Sequence, residues 1–451
     1  MTDAAVREYA PKLAEARIFE VPSHWLSEGD SRFDATIYAK EGYESLRVLE
    51  QSRFRTVPLG ALVGRVYHPT ENQPRSNFKR IWVKAGEGPA FLTGKQLFFF
   101  RPDREKFLSR KMTKLHELMI PKGTILLSRS GTTGHPVLVG RWLSQFAVTD
   151  DAIRIFQGSA PIGFVYSFLA SSIGRPLLVK SEYGSTVSHL EAKHVYDVPV
   201  PIISEDDQKS IDAEIARAYA LRDGANDLLD EADSRLHAFL GVSAFSERDI
   251  EYIGGETDPK AFTVPSLALV DRLDATHQVP VVRSVLDKLR RGNFKLIALS
   301  EKARVYLPPR TGRVYVKAKY GVPFLQGSEL PMIRPLQLEH ISTTRTKGLE
   351  KWLLRANWVL ITRSGTIGRT GIVTQAQDGW AASEHMIRVK PDTALIHTGF
   401  LAAFLATPFG QHQLKAKIYG GVVDELTEPD TAAILVPDVP PKALILTSNM
   451  R

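Results

Sequence analysis

Between Glu205 and Leu240 the chain carries no proline, and apolar or small side chains recur at gaps of four and three. The series is Ile211, Ile215, Ala218, Ala225, Leu229, Ala232, Leu236 and Phe239, with Arg222 as the one interruption. That spacing predicts a single helix with a heptad seam. Ser204 ahead of Asp207-Gln208 marks its start, with acid in the first turn where the macrodipole favours it. At about 1.5 Å per residue the helix would run on the order of 50 Å. Gly224 weakens it by about 1 kcal/mol against alanine. A helix of this pattern either lies on a neighbouring domain or packs on another helix as a spacer, and its length favours the spacer. On both sides the pattern changes to short apolar runs, such as Lys79 to Lys84, Thr124 to Leu127 and Val137 to Val139, which read as strands. Ile162 to Ile173 and Thr398 to Ala406 read as helices. Strands and helices do not alternate regularly, so the expected class is α+β with a mainly antiparallel or mixed sheet.

The two flanks repeat each other. Arg32-Phe33-Asp34-Ala35-Thr36 returns as Arg272-Leu273-Asp274-Ala275-Thr276, and Arg65-Val66-Tyr67 as Arg304-Val305-Tyr306. Val83-Lys84-Ala85 returns as Val316-Lys317-Ala318. The sharpest match is LLSRSGTTG (126–134) against LITRSGTIG (360–368), continued by AVTDDAIRI (147–155) against AASEHMIRV (381–389). Order is kept and the offset stays between 233 and 240 residues throughout, which establishes a duplication. The expected organisation is an N-terminal segment 1–24, a first module 25–202, a helical spacer 203–241, a second module 242–440 and a tail 441–451.

Composition narrows the classes. The 451 residues are 24% charged and 43% hydrophobic, which excludes wholesale disorder. The absence of cysteine excludes disulfides, thiolate metal sites and a cysteine nucleophile. No apolar run approaches the ~18 residues of a membrane span, and Met1 to Arg17 lacks the apolar core of a secretory signal. A soluble, cytoplasmic protein is expected. The net charge of +8 is unevenly spread. Residues 1–202 carry 27 Lys/Arg against 20 Asp/Glu, residues 203–240 carry 4 against 10, and residues 241–451 carry 27 against 20. Two basic blocks flanking an acidic helix suit a polyanionic partner such as a phosphate backbone.

Catalytic motifs fall short. GPAFLTGKQ (88–96) has one residue too many for a phosphate-binding loop and Gln96 where a hydroxyl should hold magnesium. His116-Glu117 is followed by Ile120 where a zinc site needs its second histidine. Ser130 has Ser128, not glycine, two positions before it, which a nucleophile elbow does not tolerate. No catalytic residue, metal ligand or cofactor site is assigned. Acids dispersed along the chain leave a nuclease as an alternative, and an RNA-binding adaptor is a second.

The repeated hairpin carries the strongest chemical signal. Gly131 and Gly365 permit a tight turn that exposes successive N–H groups. Arg129 and Arg363 add a planar donor fork, and Ser130, Thr132, Ser364 and Thr366 add hydroxyls, a set suited to a backbone phosphate. The alternative for each residue is that the glycines close the turn and the hydroxyls cap it. Lys84 and Arg110, with their counterparts Lys317 and Arg345, are further phosphate candidates.

Two such hairpins, the run Gly184-Ser185-Thr186-Val187-Ser188-His189-Leu190 leading to Val198-Pro199-Val200-Pro201, and the acidic start of the long helix together resemble the DNA-specificity subunit of type I restriction–modification systems. Specificity subunits of related methylation-linked phage-defence systems share the pattern. The resemblance covers nearly the whole chain. It implies two target recognition domains on a coiled-coil-like helical spacer, a two-part double-stranded DNA target, and no enzymatic activity of its own. It also implies partner DNA adenine methyltransferase subunits that carry S-adenosylmethionine, and a restriction or translocase subunit in the cleaving complex. Ile211, Ile215, Leu229 and Leu236 would then meet a partner. One departure stands out: the family usually adds a second long helix, which Pro441 to Arg451 is too short to form. A partner chain or a second specificity chain is expected to supply the mate.

Overall fold

The computed structural model describes residues 21–28, 38, 41–71, 73–131, 133–180, 189–243, 263–266, 269, 273, 278–310, 312–336, 338–418 and 425–440. Segments 1–20 and 441–451, the stretch 181–188 and Thr132 lie outside the described residues. The chain divides into two compact units, Met1–Lys95 with Glu105–Ala218, and Gln96–Arg104 with Tyr219–Arg451.

In the first unit, helix α1 (Glu41–Glu50) precedes strands β1 (Thr56–Pro58) and β2 (Val63–Tyr67). Strands β3 (Phe91–Leu92), β4 (Ile125–Ser128), β5 (Pro136–Leu138), β6 (Ala147–Val148) and β7 (Ala152–Gln157) follow. Helices α2 (Ile162–Ala170) and α3 (Gly174–Val179) and strand β8 (Pro199–Pro201) complete it. The main sheet is antiparallel in the order β2-β7-β4-β5. Strand β3 pairs parallel with β6, and β1 pairs antiparallel with β8, so the first and last strands close the module. All four residues of β4 are buried, and α2 (IGFVYSFLA) is apolar nearly all round, the mark of a helix inside a core.

Helix α4 (Glu205–Leu240) is continuous through Gly224, where an added Cβ would meet nothing within 4 Å. Its start is the one the sequence marks. The Ser204 hydroxyl accepts from the Asp207 N–H at 3.1 Å, and Gly241 ends the helix at φ +66°. There Val242 N–H reaches the His237 carbonyl and Gly241 N–H the Ala238 carbonyl, a Schellman closure.

The second unit repeats the first. Helix α5 (Pro280–Arg290) and strands β9 (Leu296–Ala298) and β10 (Ala303–Tyr306) come first. Strands β11 (Gly321–Leu325), β12 (Glu339–Ser342), β13 (Val359–Thr362), β14 (Thr370–Ile372), β15 (Ala381–Ala382) and β16 (Met386–Pro391) follow. Helices α6 (Thr398–Ala406) and α7 (Pro408–Ala416) and strand β17 (Leu435–Pro437) end it. The sheet order β10-β16-β13-β14 is antiparallel, with β11 parallel to β15 and β9 antiparallel to β17. Register is kept as well: Arg65 faces Phe156 as Arg304 faces Lys390, and Leu127 faces Ile153 as Ile361 faces Ile387. The fold is α+β, as expected.

The end of the seam corrects one expectation. Leu236, taken as a partner contact, is 7% exposed and sits in the core of the second unit with Leu240, Val281, Val285 and Leu289. Phe239 meets the Phe294 ring at 4.9 Å. Arg222, the interruption, also has an internal use. It donates to the Phe99 carbonyl at 2.7 Å, and buried Asn226 donates to Phe100 at 3.4 Å. Arg101 answers by donating to the Asn226 carbonyl at 3.1 Å and pairing with Asp230 at 2.5 Å. The strap Gln96–Arg104 thus covers one side of the C-terminal half of α4. Ile211 and Ile215 are half-buried, whereas Leu221, Leu228 and Leu229 are exposed.

Two imidazoles withdrawn from solvent, buried His135 and half-buried His412, set an acid limit. His135 and His412 are each pushed down to about 4, by burial first and then by Arg175 and Lys415 respectively. The unfolded chain takes up these protons near pH 6.5 and the folded one does not. Stability is therefore whole above about pH 6.5 and falls on acidification toward pH 4, by on the order of 1–2 kcal/mol per histidine at pH 5. Thermal melts between pH 7 and 5 check this. Replacing His135 and His412 with phenylalanine should flatten the slope, and an unaltered slope would assign it to other groups.

Candidate nucleic-acid interface

The two hairpin tips are built alike. Gly131 and Gly365, at φ +78° and +74°, face open space and serve the turn. Gly134 and Gly368 are also left-handed, but a Cβ there would lie 2.3 Å from Val179 and 2.9 Å from Gln411, so these glycines also let the loop approach the helical layer.

The tip arginines are not displayed to solvent. Arg129 pairs with Glu191 at 2.7 Å and Asp151 at 3.4 Å. Arg363, 7% exposed, pairs with Glu425 and donates its Nε–H to the Leu426 carbonyl at 3.1 Å. A backbone bond ties each tip to the end of its module: Leu190 N–H to the Arg129 carbonyl at 2.9 Å, and Leu426 N–H to the Arg363 carbonyl at 3.0 Å. This revises the reading of both arginines as phosphate ligands, because their donor forks are already engaged with carboxylates. Ser130 and Ser364 are engaged too, their hydroxyls lying 2.9 Å from His189 Nδ1 and 2.8 Å from His385 Nδ1. The partners come from exchanged places. His189 in the first unit aligns with Glu425 in the second, and Asp151 aligns with His385. Thr366 is exposed at its tip, and Thr132 lies outside the described residues.

Lys84, Arg110, Lys317 and Arg345 are all exposed. Lys84 and Lys317 stand two residues beyond a feature the sequence reading missed. Trp82 and Tyr315, aligned in the repeats, are 47% and 48% exposed. Each stands edge-on to an aligned buried phenylalanine, Trp82 on Phe91 at 5.6 Å and Tyr315 on Phe324 at 6.2 Å. An arginine lies over each of those rings, Arg80 at 4.7 Å and Arg313 at 5.2 Å. Arg80 is fixed by Asp150 at 2.8 Å, and Arg313 by Glu384. Burial pushes the Glu384 carboxyl up, but a backbone hydrogen bond, Arg313 and His385 outweigh it and hold the group below its ordinary range. The neighbourhood is cationic: Lys106 lies 5.6 Å from the Trp82 ring, and Lys319 lies 4.6 Å from that of exposed Tyr320. An exposed aromatic with its lysine, braced from behind by an arginine–carboxylate pair, is thus present once per module. Such a platform can cover a sugar or base edge while the lysine meets a phosphate. The signal was the aligned pair RIWVK (80–84) and RVYVK (313–317).

Among the described residues, no group of three or more His, Asp or Glu is placed to hold a metal ion, and no helix is long and apolar enough to cross a membrane. No protein-family model matches the chain, and no curated protein matches it. Solved structures do. The HsdS subunit from Thermoanaerobacter tengcongensis is similar over 88% of this chain and 87% of its own, at 13% identity and a TM-score of 0.27. The type I restriction–modification S subunit from M. genitalium is similar over 88% and 90%, at 12% identity and a TM-score of 0.33. A chain from a structure of type I R-M complex assembly and conformational transition covers 87% and 88%, at 13% identity and a TM-score of 0.29. The solved structures to which this chain is similar thus include specificity subunits of type I restriction–modification systems, at low identity and low TM-score.

Proposed function

We propose that this chain is a DNA-specificity subunit that reads a two-part duplex target, one part per module, and directs a partner adenine methyltransferase to it. One observation carries the reading: two modules of the same strand order and register each present the same exposed aromatic–lysine pair on a braced platform. Lys84, Arg110, Lys317 and Arg345 hold phosphates, while loops that differ between the modules read base edges in the grooves. Arg129 and Arg363 position the hairpins. Methyl transfer, with its S-adenosylmethionine, belongs to the partner, and a restriction or translocase subunit joins when the target is cleaved. The exposed leucines 221, 228 and 229, with half-buried Ile211 and Ile215, form the part of the helix left for a partner or a second specificity chain. Among the described residues no feature favours the nuclease or the RNA adaptor over this reading.

Methylome sequencing of the host with and without the gene tests it. A two-part adenine mark should vanish on deletion, and replacing the first module with that of a relative should change one half of the mark. An unchanged methylome, or a change in both halves, would overturn it.

A further inference from the structure

The second unit contains a cavity of about 510 Å3 lined by Arg304, Tyr306, Lys351, Trp358, Lys390 and Glu428 among others, a size within the usual range for small-molecule sites. Sheet register builds it. Arg304 and Lys390 face each other across β10 and β16. Trp358 immediately precedes β13, whose Val359 pairs with Val389, which sets the indole beside Lys390. Tyr306 lies on the same face of β10 as Arg304. Its ring is edge-on to Trp358 at 5.8 Å and 86°, and the Arg304 guanidinium lies 5.6 Å from it. Lys351 adds a third cation. None of Arg304, Lys351 and Lys390 forms an ion pair among the described residues. The lining carboxylate, Glu428, accepts from the Leu307 N–H at 3.1 Å, so the wall remains net positive.

In the first module side chains fill the corresponding part of the frame. The row Trp358, Lys390, Arg304 corresponds there to Thr124, Phe156, Arg65. Phe156 stacks on Tyr67 at 6.0 Å and 13°, and Arg65 lies over Tyr67 at 3.7 Å, so the space is taken by side chains. In the second module the phenylalanine has become a lysine and the threonine a tryptophan. The first change exchanges internal packing for an exposed cation, and the second adds a half-buried indole that packs against the Leu360 cluster on one side and lines the pocket on the other.

We infer that this pocket binds a nucleotide, its base against Trp358 and Tyr306 and its phosphate held by Arg304, Lys351 and Lys390. Aromatic faces recognise any base, and the converging cations recognise the anion. The nucleotide can come free in solution or as an unstacked residue of a strand. The inference does not depend on the DNA-specificity reading.

Calorimetric titration of the full chain with dAMP, deoxyadenosine and a short single-stranded oligodeoxyadenylate tests it. Binding of dAMP identifies the free nucleotide, and binding of the oligomer alone identifies the strand. In either case Lys390→Phe and Trp358→Thr, which import the residues of the first module, should each weaken binding roughly tenfold or more. Where dAMP binds, deoxyadenosine should be weaker by a similar factor. Thermal melts report whether these variants fold, and Arg304→Gln, an exposed change, provides the same test should either fail. Absence of binding by both dAMP and the oligomer at millimolar concentration, or binding unaltered by the folded variants, would overturn the proposal.

Discussion

Replacing Arg388 with methionine should cost the second unit about 3–5 kcal/mol, a large share of the roughly 5–15 kcal/mol that holds a typical domain folded. Arg388 is fully buried on β16, and its guanidinium donates to the carbonyls of Ala382, Ser383 and Met386. Burial pushes it down to about 10, yet it remains charged at neutral pH. Exchanging a buried charge for an apolar group can stabilise a protein when its partners leave the interior with it. Here the partners are backbone carbonyls at the end of β15, in the bend that follows it and at the start of β16. They stay in place and lose the guanidinium; the Ser383 carbonyl keeps the Met386 N–H at 3.1 Å, and each carbonyl left without a donor costs about 1–3 kcal/mol. The loss therefore outweighs the relief of desolvation. Arg154 does the same in the first unit, donating to Ala152, Glu117 and Thr149. Calorimetry should show Arg388→Met lowering one transition and Arg154→Met the other. A melting temperature that stays or rises would mean that the carbonyls find other donors.

Lys84→Ala with Lys317→Ala should give the largest loss of DNA affinity, with the salt dependence of binding flattened by about two units of slope if each lysine holds one phosphate. Arg129→Ala and Arg363→Ala should behave differently. They should destabilise their hairpins, on the order of 2–3 kcal/mol for the more buried Arg363, and leave the salt slope of the remaining folded protein unchanged. Binding isotherms across a salt series, with melts of each variant, separate the two classes. A slope moved by the arginines and not by the lysines would return the phosphate contact to the hairpin tips.

The spacer and the duplication were legible because each is a local or periodic signal. Ser204 is a cap residue, and the structure begins α4 beside it. The hairpins were legible from glycines that only one backbone conformation explains. What stayed hidden depends on groups far apart in sequence. That Arg363 faces Glu425 and not solvent is decided 62 residues away. Leu236 fits a heptad and a core equally well, and only the arrival of Val281 and Val285 from α5 decides between them. Arg222 looked like a defect in a seam because its acceptor, Phe99, lies in the strap. Trp82 and Tyr315 were in plain view as a matched pair, but a periodicity argument assigns aromatics to the core unless their exposure is known.

The exchanged partners of the hairpin tips restrict how such genes can be reshuffled. A crossover between the two copies that joined the stretch holding Asp151 to the one holding Glu425 would surround the arginine with acid and leave the serine without an imidazole. The reciprocal product would bring two imidazoles to one tip. Viable recombinants must inherit both stretches from the same parent, so the two modules should be traded whole, with breakpoints in the helix or beyond it.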